Sequence, residues 1–438
     1  MTALSAITRR LDLPLLAAAI ATSGLKVVSA VLNYGLLILL ARILTVEDFG
    51  LYGMIFSASV LVAAALIFGQ PVLILKSIPE YSARSDPPRQ KGVIFFGSAV
   101  LLATSLLFLL LLWLGHVAGL LPAFLRDNAV LGAFALLAIV YALSDYSCNL
   151  LRAFGFTCQG IVPRDIVWRL ATIGVLVILA RGGASVSVLQ VLVALGTLLG
   201  LLVAWQFWRV WRIVQRDLPQ RPAFDVPAWR TASSWMAIGS LLFATSATVD
   251  TIIVGWLLGT QDAAVYFSAA RTAAVSSLLL VGLRLIAAPV FAHLHYGENP
   301  QGLRTKIELV YALSAATAAL VGVAAFVFAP EIMRVFGAEY AAGILPFRML
   351  VVGLSIATAG GMSSSILEST GGERLNARIL LLTQAATALA VAVGAYVGGL
   401  YGAALAKAAC VALEAVWLSV CVFARLTSRP APTSGTAA

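Results

Sequence analysis

The fold is decided by long uncharged segments such as residues 93–114, which read VIFFGSAVLLATSLLFLLLLWL. A helix that crosses the hydrocarbon core of a bilayer needs about 20 predominantly apolar residues. Of the 438 residues in the chain, 61% are hydrophobic and 11% are charged, whereas a soluble domain averages about 45–50% apolar and about 25% charged residues. The composition therefore excludes soluble folds and predicts a chain that crosses a membrane many times.

Twelve segments are long and apolar enough to span the bilayer. They lack the alternation of apolar and polar residues that is typical of barrel strands, so helices are expected. The first segment follows Arg9 and Arg10 as a signal peptide would, but it is too long for the hydrophobic region of such a peptide, so it is predicted to stay as a helix. The predicted spans are residues 15–41, 49–75, 93–114, 129–150, 165–181, 186–208, 234–258, 263–288, 307–329, 344–367, 378–396 and 401–424.

The basic residues are divided unequally between the two sides of this arrangement. Of the 29 Lys and Arg residues, 20 fall on the side that holds both termini, which we call the basic side, and five fall on the opposite side. Cytoplasmic loops carry the excess of Lys and Arg, so both termini are predicted to be cytoplasmic. The charges lie in short separate gaps and form no basic run of the kind that binds nucleic acid, so no nucleic-acid partner is expected.

A weak internal repeat relates the two halves of the chain. Residues 48–52 (DFGLY) and residues 262–266 (DAAVY) are offset by 214 residues, and each opens a span. A chance match of two loops is the alternative to duplication. Six spans per half return the chain to the same side, which predicts parallel repeats about an axis along the membrane normal. The predicted domains are an N-terminal six-helix lobe (1–218), a C-terminal six-helix lobe (219–426) and a disordered cytoplasmic tail (427–438).

Basic residues inside the spans are the first candidates for a binding site. A charge at the bilayer centre costs about 2.5–3.5 kcal/mol on insertion scales, so such a residue usually faces a cavity or a partner. Lys26 shares a helical face with Ser29 and Asn33, which predicts the wall of a polar cavity. Arg271 lies deep in the eighth span, and its planar guanidinium suits phosphate oxygens. Arg284, near the basic end of that span, either serves the same site or reaches the interface.

Acidic residues inside the spans are candidates for ion coupling or for ion pairing. Asp250 in the seventh span could pair with Arg271 or carry a proton or sodium ion. Asp145 in the fourth span forms a stripe with Asn149 and Arg152, and Arg152 could neutralise it. No phosphate-loop motif, metal-ligand cluster or large outer loop is visible, so no cofactor, metal site or enzymatic activity is expected.

The stretch from Leu40 to Tyr52, LARILTVEDFGLY, resembles one found in the Wzx-type polysaccharide and O-antigen flippases. These belong to the multidrug/oligosaccharidyl-lipid/polysaccharide (MOP) exporter superfamily. The stretch DTIIVG at 250–255, residues 265–271 and FGAEY at 336–340 add to this resemblance. It implies an all-α integral membrane protein with twelve transmembrane helices in two parallel six-helix lobes, which is a MATE-like fold.

The resemblance also implies a function in the bacterial inner membrane. Such proteins pass an undecaprenyl-pyrophosphate-linked oligosaccharide between leaflets by alternating access, for exopolysaccharide or lipopolysaccharide biosynthesis. Lys26 and Arg271 would then hold the pyrophosphate, and Ser29 and Asn33 would receive sugar hydroxyls. The expected partners are the lipid-linked oligosaccharide, the bilayer and other polysaccharide-assembly membrane proteins.

Two other functions stay open. A cation-coupled exporter of small molecules could use the same fold, and it would depend on a membrane-embedded acid more than on Lys26 or Arg271. A membrane polymerase or ligase could use the same lipid carrier, but that class of enzyme normally carries catalytic residues on substantial outer loops.

Overall fold

The computed structural model describes residues 13–182, 185–275, 291, 300–360 and 362–427. In these residues the regular secondary structure is helical throughout, which confirms the all-α membrane class. Within the part of the chain that the structure describes, nine stretches are long and apolar enough to cross a bilayer, and one of them, Arg374–Arg425, is long enough for two crossings.

The first half of the chain contains nine helices. Six of them are 21 residues or longer, and three are shorter segments at the ends or breaks of spans. Their bounds are α1 Leu13–Ile43, α2 Val46–Leu66, α3 Gln70–Ala83, α4 Pro87–Val117, α5 Asn128–Ala153, α6 Thr157–Val162, α7 Trp168–Arg181, α8 Val188–Asp217 and α9 Val226–Leu258.

In the described residues the second half continues with six α-helices, the last of which breaks at Gly399, where φ is 58°. This break divides α15 into the two final predicted spans. The bounds are α10 Thr260–Val275, α11 Pro300–Val327, α12 Ala329–Phe336, α13 Ile344–Ala359, α14 Ser363–Ser369 and α15 Glu373–Thr427. With α6–α7 taken as one broken span, each of the twelve predicted spans overlaps at least one of these helices, and residues 276–288 of the eighth span lie outside the described residues.

Side-chain caps fix where several of the long helices begin. The Thr45 hydroxyl accepts a hydrogen bond from the Asp48 amide at 3.1 Å at the start of α2. The Asp127 carboxylate accepts from the amides of Ala129 and Val130 at the start of α5. Each cap satisfies an amide that the first helical turn leaves without a partner, and this is why the chain turns into a helix at these positions.

The positions at which helices begin recur along the chain at a nearly constant offset. The helices that begin at Val46 and Thr260 are 214 residues apart, and those that begin at Pro87 and Pro300 are 213 apart. Gln261 and Glu47 are also 214 residues apart, and Gln261 donates a hydrogen bond to Glu47 at 2.9 Å. Two positions related by this offset are therefore in contact. This contact agrees with the 214-residue repeat read from residues 48–52 and 262–266.

The start of α2 packs very closely against the start of α10. A Cβ added at Gly50 would lie 1.8 Å from the carbonyl oxygen of Thr260, so no side chain fits there. Tyr52 and Phe49 on the same helix are almost fully buried, at 2% and 0% exposure. The glycine in the DFGLY motif is therefore required by the approach of two backbones.

Backbone contacts divide the chain into two compact units. One unit is Val31–Ala264, and the other joins Met1–Ala30 to Val265–Ala438. The core of the first unit includes Tyr146 and Trp229, and the core of the second includes Phe291 and Ile307. The division predicted after residue 218 stays a prediction.

Candidate functional site

The fifth span is longer than the sequence predicts, and it is broken. The prediction begins this span at residue 165, but the structure begins the helix at Thr157 and interrupts it with a π-helical turn at Pro163–Val167. Proline has no amide N–H, so the carbonyl of Gln159, four residues earlier, loses its helical partner. With the helix beginning at Thr157, the charged side chains that follow Pro163 lie within it and not at its start.

A glutamine on a neighbouring helix satisfies the carbonyls that the break leaves free. Gln206 on α8 is 1% exposed, and its Nε2 donates to the carbonyl oxygens of Gln159 at 3.1 Å and Gly160 at 2.9 Å. The Ser147 hydroxyl on α5 donates to Gln206 Oε1 at 2.8 Å, which orients the amide. Backbone groups freed within a bilayer need such partners, so Gln206 is a structural support for the broken helix.

Asp145 and Arg164 form an ion pair beside this break. The Nη1 of Arg164 lies 2.5 Å from the Oδ1 of Asp145, and the side chains are 18% and 30% exposed. The Arg164 guanidinium also lies 4.6 Å from the centre of the Tyr141 ring. At 1.5 Å per residue, both charges lie about 11 Å from the basic-side ends of their helices at Ala153 and Thr157.

The stripe predicted on the fourth span is present, but Arg152 has a different partner. Its Nη1 donates to Asn149 Oδ1 at 2.8 Å, and Asn149 Nδ2 donates to the backbone carbonyl of Asp145 at 2.8 Å. Arg152 therefore binds the amide of the stripe, and the carboxylate of Asp145 is neutralised by Arg164.

A second arginine follows one turn later on the same broken span. The Nη1 of Arg169 donates to the Asp165 backbone carbonyl at 2.7 Å and lies 3.6 Å from the Asp165 carboxylate. Its Nε donates to Asn33 Oδ1 at 3.4 Å, so the structure brings the predicted residue Asn33 to a guanidinium. We call Asn33, Asp145, Arg164, Asp165 and Arg169 the first-half cluster.

The other predicted residues of the first span lie nearer the N-terminus on α1. Lys26 is exposed, whereas Ser29 is 6% exposed. Both belong to the unit that includes Met1–Ala30, and Asn33 belongs to the unit that begins at Val31. The stripe predicted on one helical face therefore crosses the boundary between the units.

Arg271 and Asp250 lie on consecutive helices but in different units. Arg271 on α10 is half-buried, and its guanidinium lies 5.2 Å from the centre of the Phe267 ring, a cation–π contact. Asp250 on α9 is 7% exposed, and its carboxylate accepts from the Thr251 amide at 2.9 Å. Arg284 lies outside the described residues.

A second group of hydrogen-bonded carboxylates lies near the end of the chain. Glu414 Oε2 accepts hydrogen bonds from the Thr383 hydroxyl and from Gln384 Nε2, the latter at 2.9 Å. Glu368 Oε1 accepts from Asn376 Nδ2 at 2.9 Å. We call Glu368, Asn376, Thr383, Gln384 and Glu414 the second-half cluster. Glu414 lies 13 residues before Thr427, so it is about 20 Å along the helix from that end.

Sequence reasoning missed Arg164, Asp165 and Arg169 as members of a site, because it counted the two arginines as basic-side topology signals. The adjacent Pro163 is the signal that could have identified them, since a proline in a span predicts a break that neighbouring polar groups must support. Among the residues that the structure describes, no three His, Cys, Asp or Glu side chains come together as a metal site.

The sequence matches a known family over more than half of its length. A family model described as "Polysaccharide biosynthesis protein" matches residues 15–295. The chain belongs to this polysaccharide biosynthesis family. The resemblance to Wzx-type flippases drawn from residues 40–52 is thereby confirmed. Proteins of the polysaccharide biosynthesis family are membrane transporters or flippases and not enzymes. No curated protein sequence matches the chain.

Solved structures share the fold of this polysaccharide biosynthesis family member at low identity. The inward-facing form of a multidrug resistance MATE family transporter of the MOP superfamily is similar with a TM-score of 0.72 and 15% identity, over 91% of this chain and 95% of that chain. A MOP superfamily transporter from Pyrococcus furiosus, described as having a binding pocket of reverse polarity, is similar with a TM-score of 0.66 and 14% identity, over 94% of each chain. These likenesses confirm the predicted MATE-like fold.

Proposed function

We propose that this protein is a flippase that moves an undecaprenyl-pyrophosphate-linked oligosaccharide across the bacterial inner membrane by alternating access. The product would enter surface polysaccharide, exopolysaccharide or lipopolysaccharide biosynthesis. The observation that carries the proposal is the first-half cluster, which holds two guanidinium groups inside a span of a polysaccharide biosynthesis family member. Buried cations in a span usually mark a substrate or ion pathway.

The donors of the first-half cluster suit an anionic, hydroxyl-rich substrate. Arg169 uses its Nε and Nη1 for Asn33 and Asp165, and its Nη2 has no partner among the described residues. A planar guanidinium presents paired donors that match phosphate oxygens. In the proposal Lys26, Arg271 and Arg284 hold the pyrophosphate, as the sequence predicts, and Arg169 is a further group able to bind phosphate oxygens.

Polar neutral side chains complete the proposed site. Ser29 and Asn33 would accept or donate hydrogen bonds to sugar hydroxyls. Asp250 would carry the coupling ion, because it is a buried carboxylate in a span. Asp145 would serve as the structural partner of Arg164, as their ion pair indicates.

The proposal includes a topology and two moving bodies. The excess of Lys and Arg on the basic side supports cytoplasmic termini. The lobes 1–218 and 219–426 would rock against each other, and residues 427–438 would form a cytoplasmic tail. Other polysaccharide-assembly membrane proteins would deliver or receive the substrate.

Single substitutions test the proposed binding residues. Lys26→Ala and Arg271→Ala should each abolish surface polysaccharide at an unchanged protein level, because each removes a cation for the pyrophosphate. Arg84→Ala is the matched control, since Arg84 is exposed and paired with Glu80 at 3.0 Å, and it should leave polysaccharide unchanged. Normal polysaccharide in both test variants would remove the proposed site.

Deleting the gene tests the function itself. Lipid-linked intermediates should accumulate on the inner leaflet if the protein is a flippase. Accumulation on the outer leaflet would point to a polymerase or ligase instead. Unchanged intermediates would favour a cation-coupled exporter of small molecules.

A further inference from the structure

The connection between α8 and α9 is docked firmly onto neighbouring helices. Lys91 Nζ donates to the Leu218 carbonyl at 3.0 Å, and the Ala223 amide donates to the Pro88 carbonyl at 2.9 Å. A Cβ added at Gly92 would lie 1.8 Å from the Ala223 carbonyl oxygen, so the two backbones touch. The connection therefore presents its exposed side chains in a fixed arrangement.

Trp229, near the start of α9, also holds this connection in place. It is 2% exposed, and its Nε1 donates to the Tyr81 hydroxyl at 2.8 Å. Its ring lies 5.6 Å from that of Phe96 and 6.4 Å from that of Phe224. An aromatic anchor with a satisfied N–H is a typical core element, so the start of α9 cannot swing away from α3 and α4 without breaking these contacts.

Four other tryptophans are exposed close to the connection. At 1.5 Å per residue, α8 covers about 30 Å between Val188 and Trp208, which is the thickness of the hydrocarbon core. Tryptophan is enriched at the boundary between hydrocarbon and headgroups. The exposed tryptophans therefore mark that boundary on the basic side: Trp205, Trp208, Trp211 and Trp235 are 40%, 46%, 58% and 73% exposed.

Exposed arginines lie between these tryptophans along the chain. Arg212, Arg221 and Arg230 are all exposed, and the Arg212 guanidinium lies 4.8 Å from the centre of the Trp208 ring. In the described part of the chain none of the three pairs with a carboxylate. Arg84 and Arg304, by contrast, pair with Glu80 at 3.0 Å and Glu308 at 2.8 Å.

We propose that this surface, Trp205–Trp235, binds the phosphate groups of anionic phospholipids in the leaflet on the basic side. The tryptophans place Arg212, Arg221 and Arg230 at the depth of the headgroups. No carboxylate of the described residues forms an ion pair with these three arginines, and Asp217 on the same surface pairs with Arg216. Juxtamembrane basic residues attract anionic lipid in this way. The docked connection holds the three arginines in place, so lipid binds a prepared surface.

Native mass spectrometry of the full-length protein tests this surface. The detergent-purified protein is titrated with dioleoyl-phosphatidylglycerol in competition with dioleoyl-phosphatidylcholine. The variant R212Q/R221Q/R230Q should bind phosphatidylglycerol about a hundredfold more weakly, since each basic residue contributes about fivefold. Binding of phosphatidylcholine should not change. Undiminished phosphatidylglycerol binding in this variant would overturn the proposal.

Two control variants separate the surface from overall charge and from folding. R84Q/R89Q/R304Q removes three arginines that pair with acids, and it should bind phosphatidylglycerol within about twofold of the parent protein. An equal loss in this variant would show a general charge effect and overturn the proposal. R212K/R221K/R230K keeps the charge and should keep most of the binding, whereas a loss there would overturn the charge-based recognition. Inorganic phosphate at the lipid concentration should not displace the lipid, and displacement would assign the surface to free phosphate.

Discussion

The first-half and second-half clusters hold their carboxylates in different ways. In the first-half cluster, Asp145 lies 2.5 Å from Arg164, so the carboxylate meets a cation. In the second-half cluster, Glu414 accepts from Thr383 and Gln384, so its donors are neutral. Among the described residues, Glu414 forms no ion pair.

The two clusters therefore differ in the stability cost of removing one charged group. Removing one partner of a buried ion pair leaves the other charge uncompensated, which is strongly destabilising. A carboxylate held by neutral donors can take up a proton without leaving an arginine alone. Glu414 is therefore the carboxylate of the two clusters that can be neutralised at the smallest structural cost.

The largest expected effect comes from breaking the first-half cluster. Arg164→Met should lower the free energy of unfolding by about 3 kcal/mol, because Asp145 then lacks its cation inside a span. Thermal unfolding of the purified protein measures this loss. The double variant Arg164→Met with Asp145→Leu should recover most of it, since no unpaired charge remains.

Arg152→Gln is the matched control for this substitution. It removes an exposed arginine from the same stripe but leaves the pair of Asp145 and Arg164 intact. Its unfolding should shift by less than about 1 kcal/mol. Equal losses in Arg164→Met and Arg152→Gln would contradict the assignment of Arg164 as the partner of Asp145.

An intermediate loss of stability is expected when Gln206, the uncharged side chain that supports the broken helix, is replaced. Gln206→Leu leaves the carbonyls of Gln159 and Gly160 without a side-chain donor, which should destabilise the protein by about 1–2 kcal/mol. Gln215→Leu on the same helix is the control, because Gln215 is exposed. A stability unchanged from the parent protein in Gln206→Leu would show that the break does not depend on this amide.

The smallest effect on stability is expected in the second-half cluster. Glu414→Gln keeps an oxygen that can accept from Thr383 and Gln384, so unfolding should change by less than about 1 kcal/mol. Asp145→Asn leaves Arg164 unpaired and should destabilise by clearly more. The comparison of the two clusters fails if Glu414→Gln is the more damaging of these two isosteric changes in thermal unfolding.

Much of the fold could be predicted because span length and hydropathy are local properties. The segment 93–114 needs no knowledge of its neighbours to be a membrane helix, and the structure extends it to Pro87–Val117. The segment at 165–181 was the exception. Its charged residues lower the local hydropathy, and the contacts that let them enter the membrane come from other helices.

The candidate site was less predictable because its pairs are distant in sequence. Asp145 stands out as a charge inside a span, but its partner Arg164 lies 19 residues away and on another helix. Arg169 and Asn33 are 136 residues apart. Helical spacing can predict neighbours such as Asn149 and Arg152, but only packing decides which of them meets the carboxylate.

The hydrogen bond between Glu47 and Gln261 has a consequence for the origin of the chain. The repeat predicted from residues 48–52 and 262–266 makes these two positions equivalent, and equivalent positions that touch are expected at the axis that relates two repeats. In a homodimer of a six-helix ancestor, one residue type would have faced its own copy there, and two glutamates would have repelled. Joining the two copies in one polypeptide allowed a donor to stand opposite an acceptor, an asymmetry that identical subunits could never acquire.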